Sequence, residues 1–402
     1  MKSLAIKKLR VFSILAILCS CLLVLAAIPG ERHPLESQIS VVWMKTYGGV
    51  KSDKGYFVQP TSDGGFILIG ETNSFGSGDY DIWLLKINEV GDTIWTRTYG
   101  GKNHDWGEAV VQTSDSGFLI VGGTKSFGSG GTDVWLIRTN SSGDTLWTRT
   151  FGGKGDDWAE EVTQTADGEF IIPGWTNSTP NGDFDALLIK YDASGNLVWS
   201  RTYGGSRDDG AKSVALTDDG GFFVAGLTKS FGAGSSDVWI IRTNQSGDTL
   251  WTRTFGGTGF DMAFCVSQTF DKGFAVAGRV QPSNQDYGNL WILRFSSLGD
   301  TLWTRTYGGK GYDLGTFVHQ ASDGDLLITG STDSYGSGSN DLWLLRTNSK
   351  GDTLWTRTFG GPASDFSFCV RELKNRDLVL AGYTESFGAG DADACFLRIK
   401  NK

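Results

Sequence analysis

The sequence is poor in the residues on which most catalytic and metal-binding motifs depend. Its 3 histidines, His33, His104 and His319, are too few and too scattered for a histidine metal site. It contains no GxSxG elbow, HExxH helix, CxxC pair or phosphate-binding loop. We therefore predict no catalytic residue and no metal site from motifs. A catalytic pair of carboxylates for glycoside cleavage remains an alternative, because acidic residues are plentiful and a sequence does not give the distance between them.

Outside the first thirty residues, basic residues are outnumbered by acidic ones. Within the first thirty residues, four basic residues precede an uncharged, mainly apolar run from Val11 to Ile28, a pattern typical of an export signal. The run also reaches the lower limit for a spanning helix, so residues 1–30 are a signal peptide or a membrane anchor, and 31–40 a linker. Without those four residues the chain has 32 basic and 45 acidic residues, a formal charge of about −13. Such a surface excludes nucleic acid as a partner.

Cysteine is scarce too, and odd in number after the N-terminal segment. The three that remain are Cys265, Cys369 and Cys395. Buried free thiols are the expected state, because Cys265 and Cys369 occupy the same place in their repeats, where most other copies carry apolar or small residues. A bridge between Cys369 and Cys395 is the alternative, which spacing does not decide.

What the sequence has in abundance is one repeated unit. Tryptophan recurs every 52 residues without insertion or deletion, at Trp43, Trp95, Trp147, Trp199, Trp251, Trp303 and Trp355. Each unit holds four strand-like segments joined by tight turns and glycine-rich loops, and none has helical periodicity. Residues 41–400 are therefore predicted to form an all-β, seven-bladed β-propeller with four antiparallel strands per blade.

The order of the segments also predicts how the ring closes. The chain enters the repeats at a fourth strand, around Val41 to Tyr47, and the last repeat ends at its third strand, from Asp393 to Ile399. The N-terminal strand should therefore complete the last blade, which removes the free edges that an open array would expose.

The run from DWGEAVVQTSDSGFLIVGGT to DVWLIRTNSSGDTLWTRTFGG resembles the bacterial secreted β-propeller repeat called SBBP, and more distantly the NHL and quinoprotein propellers. The resemblance covers residues 41–400. It implies that the first strand of each blade lines the channel, that the last strand forms the rim, and that the protein is exported. It implies no shared catalytic residue, and no quinone-cofactor motif is present.

An aspartate begins the first strand of every blade. These residues are Asp53, Asp105, Asp157, Asp209, Asp261, Asp313 and Asp365. A ring of carboxylates could hold Ca²⁺. A structural role is favoured, because every blade must satisfy the amides of the same turn and Asp commonly does so. We therefore expect no cofactor, with calcium as the alternative, and we expect the repeated Arg and Trp residues to serve ion pairing and packing.

The connections between blades, and those between second and third strands, emerge on one face, which we call the long-loop face. Ligand-binding residues are expected there, where the seven copies differ. The candidates are His104, Trp106, Asp156, Trp158, Trp175, Arg207, Phe260 and Tyr312. Aromatic residues beside acids and amides suit a glycan or a peptide, and drift in a redundant repeat explains the same pattern equally well.

These observations lead to three functional hypotheses. The first is a non-enzymatic, exported binding or scaffold protein of the cell envelope, monomeric, that recognises a glycan or protein through its long-loop face and meets the membrane only if its N-terminal segment is uncleaved. The second is a polysaccharide-acting hydrolase or lyase with carboxylates at the channel mouth, for which an off-axis cleft with two acids about 5 to 10 Å apart would be required. The third is a structural envelope protein without a specific ligand.

Overall fold

The structure, a computed structural model, describes residues 39–180, 182–283 and 287–401. The predicted export segment and most of the predicted linker lie outside these residues. The described chain forms seven separate antiparallel sheets, which confirms the predicted all-β, seven-bladed propeller. Within this part of the chain, no helix has the length and apolarity needed to cross a membrane.

The strands of each blade pair in the order in which they occur along the chain. Strand β1 (Ile39–Tyr47) precedes blade 1, which contains β2 (Asp53–Pro60), β3 (Phe66–Thr72), β4 (Asp81–Ile87) and β5 (Thr93–Tyr99). Blade 2 contains β6 (Asp105–Gln112), β7 (Phe118–Thr124), β8 (Asp133–Thr139) and β9 (Thr145–Phe151), and blade 3 contains β10 (Asp157–Ala159), β11 (Thr163–Gln164), β12 (Phe170–Thr176), β13 (Asp185–Tyr191) and β14 (Leu197–Tyr203). Blade 4 contains β15 (Asp209–Leu216), β16 (Phe222–Thr228), β17 (Asp237–Thr243) and β18 (Thr249–Phe255). Blade 5 contains β19 (Met262–Gln268), β20 (Phe274–Val280), β21 (Asn289–Phe295) and β22 (Thr301–Tyr307), and blade 6 contains β23 (Asp313–Gln320), β24 (Leu326–Thr332), β25 (Asp341–Thr347) and β26 (Thr353–Phe359). Blade 7 contains β27 (Asp365–Glu372), β28 (Leu378–Thr384) and β29 (Asp393–Asn401).

The two ends of the propeller meet in blade 7. Strand β1 pairs antiparallel with β29, and the strand order of this sheet is β1-β29-β28-β27. The Trp43 ring packs against the Phe396 ring with centroids 5.1 Å apart. The N-terminal strand therefore supplies the fourth strand of the last blade, as predicted.

The hydrophobic core lies between the blades. The second and third strands of a blade, such as β3 and β4, are buried along their whole length because neighbouring sheets cover both of their faces. Aromatic rings bridge adjacent blades, as where Phe223 of β16 stacks on Phe274 of β20 at 4.1 Å. A single sheet of this kind leaves both apolar faces exposed, so the blades are stable only as a closed ring.

The repeated cations form two kinds of ion pair, one within a blade and one between adjacent blades. In the third strand, Arg138 Nη2 lies 2.6 Å from Asp115 Oδ2 in the tight turn of the same blade. In the fourth strand, Lys45 Nζ lies 2.6 Å from Asp92 Oδ1 in the following blade. The third-strand arrangement recurs at Lys86, Arg242, Arg294 and Arg346, and the fourth-strand arrangement recurs at Arg97, Arg201 and Arg253. Most of the recurring Lys and Arg side chains therefore form ion pairs within or between blades.

The first strand of six of the seven blades carries a β-bulge. In β2, for example, the register shifts between Gly55 and Phe57, which leaves Tyr56 as the extra residue. The same shift occurs in β6, β15, β19, β23 and β27. A bulge bends its strand and re-aims a side chain, and here it does so at one position of the channel wall in blade after blade.

Blade 3 departs from the predicted continuous first strand. Strand β10 ends at Ala159 and β11 begins at Thr163, so the segment between them is not part of the ladder. Pro173 of the neighbouring β12 faces this gap and has no backbone N–H to donate. One bond remains, from Glu160 N to Pro173 O at 3.0 Å. The ladder is therefore interrupted where two adjacent acids, Glu160 and Glu161, reach the channel.

Candidate functional site

A cavity of 460 Å³ occupies the channel. Its wall includes the residue at the bulge position of all seven blades, in chain order Tyr56, Glu108, Glu160, Lys212, Phe264, Thr316 and Phe368. These residues share one position in the 52-residue unit, yet they comprise two acids, one base, one hydroxyl and three aromatics. The same backbone position therefore gives the cavity a polar side, from blades 2 to 4, and an apolar side, from blades 5 to 7.

Glu160 is the centre of the polar side. Its Oε1 atom accepts hydrogen bonds from Lys212 Nζ at 2.6 Å, Trp175 Nε1 at 2.8 Å and Trp158 Nε1 at 3.0 Å. The two indoles stack with ring centroids 5.6 Å apart, and Lys212 Nζ lies 5.7 Å from the Trp175 ring. The Trp175 ring also packs on Gly210, where an added Cβ would lie 2.3 Å from the ring. Two of the predicted site residues thus hold one carboxylate in place.

Glu108 is a neighbouring carboxyl in a different state. Burial and the charge of Glu160 raise its pKa to about 8, although Lys212 and a hydrogen bond from Trp106 oppose the rise. Among the described residues it forms no salt bridge. Glu108 is therefore largely protonated at neutral pH, whereas Glu160 is paired with Lys212.

A third acid, Glu71 of β3, lies towards the long-loop face. It is 3.3 Å from Lys54 Nζ and 3.0 Å from His104 Nε2. Burial opposes its ionisation, but hydrogen bonds from His104 and Tyr56 and the charge of Lys54 together lower its pKa. The His104 ring also contacts the Trp106 ring, with centroids 5.1 Å apart. His104 and Trp106, both predicted as site residues, thus connect Glu71 with Glu108.

Phe260 and Tyr312 form a separate cluster around Arg279. The guanidinium lies 5.6 Å from the Phe260 ring and 5.2 Å from the Tyr312 ring. Neither ring lines the cavity. These two predicted residues therefore meet each other through Arg279, on the side of the channel away from Glu160.

Asp156 and Arg207 belong to the loops themselves. Asp156 Oδ1 accepts the Thr132 amide at 2.8 Å, which ties together two loops of the long-loop face. Arg207 is exposed, and its backbone amide donates to Ser230 Oγ at 3.0 Å. The structure places neither of them at the cavity wall.

The repeated aspartates accept bonds from the turns that precede them. In every blade the carboxylate accepts the amide of the glycine four residues earlier, at 2.7 to 2.9 Å. Asp105 also accepts the hydroxyls of Thr124 and Ser126. Among the described residues, no group of three or more His, Cys, Asp or Glu side chains is arranged to hold a metal ion.

The three cysteines of the propeller are buried free thiols. Cys369 is therefore not bonded to Cys395, which removes the alternative bridge. Burial raises the pKa of Cys265 to about 12 and raises that of Cys395 further, so the thiolate needed for chemistry is strongly disfavoured.

The residues at the bulge position are not among the site residues predicted from the sequence, because those predictions concern the loops. Glu108 and Lys212 lie inside a strand, Glu160 lies between β10 and β11, and in the sequence all three look like ordinary members of a repeat. The signal was nevertheless available, because aligning the seven units in columns shows unlike residue types at this one position between well-repeated neighbours. A repeat position that changes from acid to base to aromatic cannot serve a need common to all blades.

Comparison with known proteins supports the fold and little more. No protein-family model matches the chain. A curated relative, Regulatory protein FlaEY of Caulobacter vibrioides, is 25% identical over an alignment of 322 residues. The match covers 69% of this chain and 32% of FlaEY. The chain thus spans about a third of the length of that relative.

Solved structures that resemble the chain include propellers. The Neurospora crassa Pan2 WD40 domain has a TM-score of 0.56 and 10% identity, covering 92% of this chain and 98% of that one. BBS1N in complex with ARL6DN has a TM-score of 0.51 and 10% identity, covering 90% and 97%. Puromycin hydrolase has a TM-score of 0.53 and 13% identity, covering 84% and 51%. At these identities the likeness shows the propeller fold alone, and the resemblance to the SBBP repeat stays a prediction.

Proposed function

We propose that this chain is an exported, non-enzymatic binding propeller of the cell envelope that recognises a partner through the channel mouth on its long-loop face. The observation that carries the proposal is the convergence of unlike residues on one carboxylate. Trp158, Trp175 and Lys212 come from three different repeat positions and all contact Glu160. A scaffold alone needs no such group, because the repeated residues already hold the blades together.

A protein partner is favoured over a glycan. Sugar rings stack on open aromatic faces, but Trp158 and Trp175 cover each other and the Phe184 ring packs edge-on against Trp158 at 5.1 Å. Two comparisons agree with a protein partner: BBS1N is a propeller described in complex with ARL6DN, and FlaEY is described as a regulatory protein. A glycan is the alternative outcome of the experiment below.

The test is to probe glycan and peptide arrays with the full chain. We expect peptide binding that weakens at least tenfold in Trp106→Ala, because this ring lies at the mouth between Glu108 and Glu71. Phe270→Ala is the matched control, since Phe270 is an exposed aromatic in a tight turn on the opposite face. Circular dichroism confirms that both variants are folded. Binding that is unchanged in Trp106→Ala but lost in Phe270→Ala would overturn the choice of face, and binding to glycans alone would overturn the choice of partner.

A polysaccharide-acting hydrolase or lyase is the second candidate, because one observation favours it. Such enzymes pair a protonated acid with an ionised carboxylate, and the raised pKa of Glu108 beside the ion-paired Glu160 offers that combination. The assay is release of reducing ends from a panel of polysaccharides. Activity that is lost in both Glu108→Gln and Glu160→Gln would establish the enzyme, whereas no release from any substrate would reject it.

A further inference from the structure

The cavity has one carboxyl group more than its cations can balance. Three acids line it, namely Glu108, Glu160 and Glu161, together with one base, Lys212. Lys212 pairs with Glu160, and Arg371, which lies 4.3 Å from the Phe317 ring at the cavity wall, opposes the rise that burial causes in the pKa of Glu161. Glu108 is left with the Trp106 indole as a hydrogen-bond donor and, within the described part of the chain, with no cation of its own.

The other side of the cavity is aromatic. Phe264, Phe366 and Phe368 come from blades 5 and 7, and Tyr383 of β28 completes the wall beside them. Phe368 packs against Tyr383 with centroids 5.9 Å apart and against Tyr56 at 5.5 Å. Aromatic faces attract organic cations and also cover alkyl chains, so this wall suits a ligand that carries both a cationic group and an alkyl chain. At 460 Å³ the cavity lies within the usual range for small-molecule sites, roughly 300 to 1,000 Å³.

We infer that the channel cavity binds an organic ammonium group carried on an apolar stem, with Glu108 as its counter-ion and the aromatic wall of blades 5 to 7 around the stem. The inference rests on the proposed function in one respect: it names the chemical group that a partner inserts at the channel mouth. The group comes either from a free alkylamine or from a lysine side chain of a polypeptide, since both present the same ammonium and methylene chain.

Binding of such a cation is linked to a proton. Without a bound cation, the Glu108 carboxyl is largely neutral at pH 7, because its pKa is about 8. A bound ammonium stabilises the ionised carboxylate, so the proton leaves Glu108 when the cation enters. At pH 6 and 7 each binding event therefore releases close to one proton, and at pH 8 about half a proton, while affinity below pH 8 rises with pH by up to about tenfold per unit. Above the pKa of Glu108, proton release falls towards zero.

The experiment is isothermal titration calorimetry of the full chain with n-hexylammonium at pH 6, 7 and 8. Neutral n-hexanol controls for the stem, and Nα-acetyl-lysine-methylamide tests the lysine source. We expect n-hexylammonium to bind at least tenfold more tightly than n-hexanol, with proton release measured in two buffers of different ionisation enthalpy. If only the free amine binds, the source is a free amine; if the lysine derivative binds comparably, the source is a polypeptide.

Glu108→Gln is the decisive variant, because glutamine matches the neutral carboxyl in shape. It should weaken n-hexylammonium binding at least tenfold and abolish both proton release and pH dependence. Glu89→Gln, at an exposed loop position, is the matched control and should change neither. Equal binding of n-hexanol and n-hexylammonium, or binding without proton release by the unmodified chain, would overturn the inference. Array binding that depends on Trp106 but not on Glu108 would leave the proposed function standing and reject only the cation.

Discussion

Lys212 Nζ lies 2.6 Å from Glu160 Oε1, although the two residues occupy the same position in successive repeats. Seven identical copies would have placed like charges or like apolar groups side by side around the channel. Opposite charges in adjacent copies instead make an ion pair across the boundary between blades 3 and 4. This pair is the clearest sign that the channel wall has diverged for a purpose that the blades do not share.

Changing Lys212 to Met should destabilise the protein more than changing a cation at the surface. The Glu160 side chain is only 9% exposed, so removing its partner leaves a buried charge uncompensated. We expect a loss of about 2 to 4 kcal/mol in the free energy of unfolding, measured by denaturant titration. Lys229→Met is the control, because Lys229 and Asp208 form a 2.8 Å pair at the surface, and it should cost less than about 1 kcal/mol.

The double variant Glu160→Gln with Lys212→Met checks the cause. Removing both charges should recover part of the lost stability, because no unpaired charge then remains. A Lys212→Met protein as stable as Lys229→Met would show that solvent reaches Glu160 freely and that the ion pair contributes little.

Stability should fall as pH rises towards 8 through the ionisation of Glu108. Its pKa is raised from 4.5 to about 8 in the folded protein, so between these values the folded state holds a proton that the unfolded state has lost. The contribution is complete below pH 4.5 and is lost as pH rises through 8, by at most about 1.4 kcal/mol per pH unit. Because glutamine resembles the neutral carboxyl, the unmodified chain should lose unfolding free energy relative to Glu108→Gln as pH rises from 5 to 8. A constant difference over this range would contradict a raised pKa.

Closure of the ring should depend on strand β1. A chain that begins at Gly48 lacks this strand and leaves the edge of β29 unpaired, so we expect loss of cooperative thermal unfolding and concentration-dependent aggregation. A chain that begins at Ile39 keeps the strand and should unfold in one transition. Calorimetry and light scattering distinguish the two, and equal behaviour would mean that closure does not require β1.

Replacing one repeated aspartate should destabilise its whole blade. Asp105 is fully buried and bonds the Gly101 amide and the hydroxyls of Thr124 and Ser126, all of which Asp105→Ala leaves without their acceptor. A loss of about 2 to 4 kcal/mol is expected. Asp79→Ala, at an exposed loop position, should be nearly neutral. If addition of Ca²⁺ stabilised the unmodified chain but not Asp105→Ala, the aspartates would have to be assigned to cation binding instead.

The fold was predictable because every blade solves the same problem. The 52-residue spacing of the Trp series, the turn residues and the place of Trp43 before the first complete repeat together implied seven blades closed by the N-terminal strand. The broken first strand of blade 3 was not predicted. Its cause, Pro173, lies on a different strand, and its effect on Glu160 and Glu161 depends on which residues face each other across the sheet.

The candidate site was predictable only in part. Trp158 and Trp175 stand out as departures from the repeat, and the structure brings them together on Glu160. The acid itself and its partner Lys212 were missed. Lys212 sits at a β-bulge, and Glu160 lies in the interruption of the first strand of blade 3. Both irregularities turn toward the channel a position that strict strand alternation does not single out.

By itself, the sequence determined the number of blades, the strand order and the way the ring closes, because these depend on residues that recur at a fixed spacing and act within one blade. Only the tertiary structure decided which unlike residues meet. Glu108, Glu160 and Lys212 are 52 residues apart in the chain, and the curvature of the closed ring brings them to one cavity, where burial and the charge of Glu160 raise the pKa of Glu108. No local pattern encodes that environment, because it is built from side chains contributed by several different blades.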